Sequence, residues 1–155
     1  MHTPLAVLCV AAALSSGTRE STVYTDYREA WRAAQARNLP ILVILNPGEE
    51  ADEELVDLEL LQRSQQRREL LSQYVVAVID TSTPEGAKTH QRFASPQLPR
   101  VTVIDKLQKL QIYRAAAPRT AEDWNMVLVK YKAGLYIPPP PRAVVAYVAP
   151  ANCFT

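Results

Sequence analysis

Two unbroken apolar runs stand out in the alternation of hydrophobic and polar positions along this chain: Ile41 to Leu45 (ILVIL) and Tyr74 to Asp80 (YVVAVID). Short runs of this kind, rich in β-branched residues and closed by turn or polar residues, predict strands buried on both faces. Before the first run the period lengthens. Tyr27, Ala30, Trp31 and Ala34 recur at helical spacing, behind a capping pair of Asp26 and Glu29. Asn38 ends that helix, and Pro40 opens the strand. Asn46, Pro47 and Gly48 then break the strand. Glu49, Glu50, Asp52, Glu53 and Glu54 follow. Carboxylates suit the first turn of a helix, where they meet the positive end of its dipole. Leu55, Leu58 and Leu61 would form its inner face. The stretch Gln62 to Glu69 is polar, with Arg63, Arg67 and Arg68, before Leu70, Leu71 and Tyr74 return to the core.

The second half repeats the same logic. Thr81 to Gly86 reads as a loop, and Ala87 to Ala94 as a short helix with Phe93 inward. Ser95 to Pro99 is a Pro-bearing loop. Arg100 to Asp105 (RVTVID) and Leu110 to Arg114 predict two strands, joined closely enough to form a hairpin. Thr120 caps a last helix whose Trp124, Val127, Leu128 and Tyr131 fall at i, i+3, i+4 and i+7. Gly134 is placed to stop it. Pro138 to Pro141 form an extended polyproline segment, after which Ala143 to Val148 (AVVAYV) has strand character. The prolines serve either as a ligand for an aromatic-lined groove or as a stiff spacer returning AVVAYV to a sheet edge; the spacer is preferred, because exposed AVVAYV would invite aggregation.

The length of 155 residues allows one domain with a real core. With 17 basic and 16 acidic residues the net charge is +1, so no global field draws the chain onto nucleic acid or anionic lipid. The basic run at Arg63, Arg67 and Arg68 has no aromatic partners and reads as a solvated helix face. His90 stands with Lys88 and Arg92 on a helix, without a catalytic partner in sequence, and reads as exposed. The acidic window has oxygen ligands suited to a hard cation but lacks the spacing of a calcium loop; a solvated helix start explains the same residues. No metal and no cofactor is expected.

The two cysteines, Cys9 and Cys153, form neither a CxxC nor a metal-ligand spacing. Cys9 lies within an apolar stretch, Leu5 to Leu14, followed by Ser15, Ser16 and Gly17. Its length suits a signal-peptide core and is too short to span a bilayer, although no Lys or Arg precedes it. If residues 1–20 are an export signal, the chain is periplasmic or secreted; otherwise it is cytoplasmic. No integral membrane segment is expected in the mature chain.

The order helix, buried strand, helix, buried strand, helix, Pro loop, hairpin, helix resembles the thioredoxin-like superfamily. Trp31 to Leu45 (WRAAQARNLPILVIL) looks like the first helix and central strand of thioredoxin-like domains common in exported bacterial chains. YVVAVID resembles their next strand. Leu98 to Asp105 (LPRVTVID) looks like their proline-led strand, with Pro99 where the family holds a cis proline. The resemblance covers about residues 22–134. It implies an α/β, three-layer sandwich: a mixed central sheet of about four strands flanked by helices, over residues 21–134, with a Pro-rich extension over 135–155.

The departure from the family bears on chemistry. Its CxxC sits just after the central strand, at a helix N-terminus that activates the thiol. Here that window, Asn46 to Glu54, holds no cysteine, and no Ser or Thr replaces one. Disulfide exchange needs an attacking sulfur. The expectation is therefore a redox-inactive binding or structural module with an unknown protein or peptide partner and no nucleic acid. Its candidate face is the vestigial active site: Pro47, Gly48, Glu49, Glu50, Asp52, Leu98 and Pro99. Two alternatives remain, a thiol oxidoreductase using the lone Cys153 and a peptide-binding chaperone-like module.

Overall fold

The structure, a computed structural model, describes residues 22–48, 51, 52, 54–118, 120–136 and 138. Its elements are β1 (Val23–Tyr24), α1 (Tyr27–Arg37), β2 (Ile41–Asn46), α2 (Leu58–Gln62), α3 (Gln65–Leu71), β3 (Val75–Asp80), α4 (Pro84–Arg92), β4 (Arg100–Ile104), β5 (Gln111–Ala116) and α5 (Ala121–Tyr131). The strands form one five-stranded sheet in the order β1-β3-β2-β4-β5. β1, β3 and β2 are parallel, whereas β4 runs antiparallel to both β2 and β5. The sheet therefore has five strands, not about four. The extra strand is β1, two residues whose conformation comes from pairing Val23 with Val76 and Tyr24 with Ala77.

β2 is the centre of the molecule, and all six of its residues are buried. Its register pairs Asn46 with Asp80 on one side and Leu45 with Arg100 on the other. Those pairs bring the ends of β2 and β3, the start of β4 and the end of β5 to one pole of the sheet. Side chains alternate across the strands. Leu42, Ile44, Val76, Val101 and Val103 face Leu61, Leu71, Trp124 and Leu128 of the α2, α3 and α5 layer. Ile41, Val43, Leu45, Val75 and Ala77 face Ala30 and Ala34 of α1 on the other side. Each fully buried Leu, Ile or Val contributes about 1.5–3 kcal/mol.

The helix ends follow the chemistry expected of them. The Asp26 carboxylate accepts from the backbone N–H groups of Arg28 and Glu29, at 2.7 and 3.0 Å. Asn38 closes α1 in the left-handed region, with φ of 52°. Thr120 caps α5 by accepting from Asp123 N–H at 3.1 Å, and Gly134, at φ of 62°, donates to the Tyr131 carbonyl. Phe93 packs inward, edge-on to Tyr27 with ring centroids 5.4 Å apart.

Three expectations are corrected. Asp52 and Glu54, the described carboxylates of the acidic window, are not helical: α2 begins at Leu58, where the Asp57 carboxylate captures Glu59 and Leu60 N–H. Like charges three and four residues apart oppose a helix across residues 49–54. Thr81 to Gly86 is a loop only to Thr83, because Thr83 caps α4 and Pro84 takes its first turn. The last strand is shifted to Gln111–Ala116. Residues 1–21 and 139–155, which hold the candidate signal, both cysteines and AVVAYV, lie outside the described residues. Among the described residues no helix is long and apolar enough to cross a membrane.

Candidate functional site

A groove of about 660 Å3 opens at the pole where β2 ends and β4 begins. One wall comes from the segment leading into α2: Glu54, Leu55, Val56, Leu60 and Leu61. The facing wall comes from Leu98, Pro99, Ala117, Pro118 and Trp124. Trp124 is only 4% exposed and forms an apolar base, whereas Leu55 and Leu60 are 41% and 48% exposed. Leu55 and Leu60 are two of nine large apolar side chains exposed among the described residues, and they differ from the others in bordering this groove.

Asn46 positions the first wall. Its side-chain amide donates to the Val56 carbonyl and its side-chain oxygen accepts from Val56 N–H, both at 3.1 Å. This two-pronged pair ties the end of the central strand to the far limb of the loop and presents Leu55 and Val56 to the groove. Arg67 reinforces the same wall, its Nε donating to the Leu61 carbonyl at 3.0 Å. Arg68 donates to the Gln62 carbonyl at 3.1 Å. These arginines satisfy carbonyls at the end of α2, where cations are favoured. Arg67 is thus half-buried against this wall, whereas Arg63 and Arg68 are exposed, as a solvated face requires.

The second wall is held by the segment after α4. The Leu98–Pro99 peptide bond is cis. His90 is half-buried rather than exposed, and its Nε2 donates to the Pro96 carbonyl at 2.8 Å. Ala117 N–H donates to the Pro99 carbonyl at 3.3 Å, joining the end of β5 to this wall.

The candidate residues divide accordingly. Leu98 and Pro99 line the groove. Pro47 is buried and Gly48 half-buried beside β3, away from it; a Cβ on Gly48 would sit 2.7 Å from the Ser82 Cβ. Asp52 is exposed and does not line the groove, and Glu49, Glu50 and Cys153 lie outside the described residues. The candidate face thus moves from the turn at Gly48 to the limb at Glu54 to Leu61. Asn46, Leu55, Val56, Leu60 and Trp124 were not anticipated there. Leu60 carried a signal, since it falls off the Leu55, Leu58, Leu61 face. Among the described residues no group of three His, Cys, Asp or Glu side chains is arranged to hold a metal ion.

The architecture is matched by solved structures. A thioredoxin from Thermus thermophilus is 23% identical, with a TM-score of 0.59 over 74% of this chain and 91% of its own. The DsbH oxidoreductase is 14% identical, with a TM-score of 0.50 over 86% of this chain and 96% of its own. No family model matches the chain, and no curated protein matches its sequence. The fold is thioredoxin-like. Between residues 10 and 152 the chain contains no cysteine, so no described residue of either wall carries a thiol.

Proposed function

We propose that this protein is a redox-inactive thioredoxin-like module that binds an extended protein or peptide segment in the groove beside Leu98 and Pro99. One observation carries the reading: a groove of about 660 Å3 with a mixed apolar and charged lining, flanked by exposed Leu55 and Leu60, whose described residues include no sulfur. Open apolar surface at a groove gains free energy when a partner covers it, at roughly 25 cal/mol per Å2 before ordering costs. Fold alone assigns no function, and neighbours that include oxidoreductases do not supply a missing nucleophile.

The test places a photo-crosslinking residue at position 60 and offers an unfolded client chain with its thiols blocked. Capture at position 60, together with capture by a crosslinker at Ala117 that is lost in Leu60→Asp, supports the proposal. Leu60 is exposed, so Leu60→Asp should change unfolding free energy by no more than about 0.5 kcal/mol. Equal capture by both proteins, with the crosslinker moved to Ala117 in each, would overturn the proposal. The oxidoreductase alternative is tested separately by insulin reduction: turnover abolished by Cys153→Ala would establish it.

A further inference from the structure

We infer that the segment Ala143 to Val148 (AVVAYV) pairs along the outer side of β5 as a further strand of the same sheet. The two edges of the sheet are finished unequally. At one edge stands β1, only two residues long, and so short a strand offers little to a stray chain. At the other stands β5, six residues long, and among the described residues its one strand partner is β4. Successive peptide groups of an antiparallel strand point to alternate sides, so part of the N–H and C=O groups of β5 face away from β4. β5 has no proline and a single charged residue, Arg114, while Ile112, Tyr113 and Ala115 are half-buried along it. An edge of that length and composition carries few of the charges and prolines that keep other strands away.

The chain leaves α5 beside this edge. Tyr131, in the last turn of α5, packs against Tyr113 of β5 with ring centroids 5.2 Å apart. Three residues on, the Gly134 carbonyl accepts from Lys106 N–H at 3.1 Å, just past the end of β4. The neighbouring Asp105 N–H donates to the Leu110 carbonyl at 3.0 Å, so the exit lies next to the residue that opens into β5. Leu110, Leu135 and Tyr136 are all exposed there. Two inter-strand steps, about 10 Å in all, separate β4 from a strand laid outside β5. Residues 137–142, with prolines at 138–141, span about 19 Å as polyproline helix, which exceeds that distance. AVVAYV matches β5 in length, and Val144, Val145, Tyr147 and Val148 favour strands. The segment carries no charge, and left open it would pair between molecules. The short tether decides the occupant: it holds AVVAYV near β5 at an effective concentration in the millimolar range, well above that of a second copy in dilute solution.

The experiment follows amide hydrogen exchange in the full chain by NMR, under reducing conditions that keep Cys9 and Cys153 from linking molecules. The comparison is with the full-length variant Val145→Pro, whose proline removes a donor and bars the segment from the middle of a ladder. The β5 amides that face away from β4 should exchange about tenfold or more slowly in the unaltered protein than in Val145→Pro. The Leu42 and Ile44 amides of β2 should exchange alike in both, which shows the sheet intact. Should Val145→Pro disturb β2, Ala146→Pro repeats the comparison one position along. Equal exchange of those β5 amides in the unaltered and proline proteins, whether fast or slow, would overturn the pairing. So would protection that fades on dilution while sedimentation falls from dimer to monomer, because β5 would then be covered by a second copy.

Discussion

Replacing Asn46 by alanine removes two hydrogen bonds and leaves the core intact. The Asn46 side chain ties the end of β2 to Val56, accepting from and donating to the same residue at 3.1 Å. Asn46→Ala deprives Val56 N–H and C=O of their partners. A hydrogen bond contributes about 0.5–1.5 kcal/mol net, and a buried group left unpaired costs about 1–3 kcal/mol. Val56 is half-buried, so water reaches part of the vacated space and the lower figures apply. The expected loss is about 2 kcal/mol, read as a lower urea midpoint at unchanged slope. The backbone carbonyl of Asn46, which accepts from Thr81 N–H at 3.0 Å and Thr81 Oγ1 at 2.9 Å, is retained. The strand end should therefore stay in place while the loop limb is released. Hydrogen exchange separates these effects: the Val56 amide should lose more protection than the amides of Leu42 and Ile44. Unchanged stability together with unchanged Val56 exchange would refute the clamp.

Three other outcomes follow from contacts elsewhere. The Tyr74 hydroxyl donates to the Leu128 carbonyl at 2.6 Å from a buried position, so Tyr74→Phe should cost about 1–2 kcal/mol in urea unfolding. Burial also raises the Tyr74 phenol well above its ordinary value of 10. The folded state then binds this proton more tightly than the unfolded state, so its stabilisation is complete below about pH 10 and falls as pH rises beyond it. A stability profile between pH 8 and 12 should turn down above about 10 in the wild type and turn down less in Tyr74→Phe. Gly86→Ala should cost about 2 kcal/mol or more, because its Cβ would overlap the Asp80 carbonyl oxygen; a melting temperature within a degree or so of wild type would contradict that contact.

The central elements were legible because their signals do not depend on distant residues. ILVIL and VVAVI are apolar without interruption, the pattern of a strand covered on both faces. Asp26, Asn38 and Thr120 act through backbone groups a few residues away, so their capping roles could be read locally. β1 was not legible, because Val23–Tyr24 are in a strand through pairing with β3, more than fifty positions further along. The acidic window misled for a related reason. Its carboxylates would favour a helix start individually but repel one another across successive turns, and Asp57 supplied the cap instead. Asn46 read as a strand breaker because its partner, Val56, is reached only by closing the loop.

The candidate site was therefore half visible. Leu98 and Pro99 could be placed by resemblance, since they precede a recognisable strand. The opposing wall depends on two contacts that no local pattern encodes: Asn46 to Val56 and Arg67 to Leu61. Both act on the wall that carries the exposed Leu55 and Leu60, and both involve polar groups half-buried or buried beside it. Turning those leucines inward would gain more burial, since each leucine removed from water is worth about 1.5–3 kcal/mol. Instead the hydrogen bonds fix the backbone so that the leucines stay open to the groove. The backbone of that wall is thus held by side-chain bonds of its own, from Asn46 and Arg67.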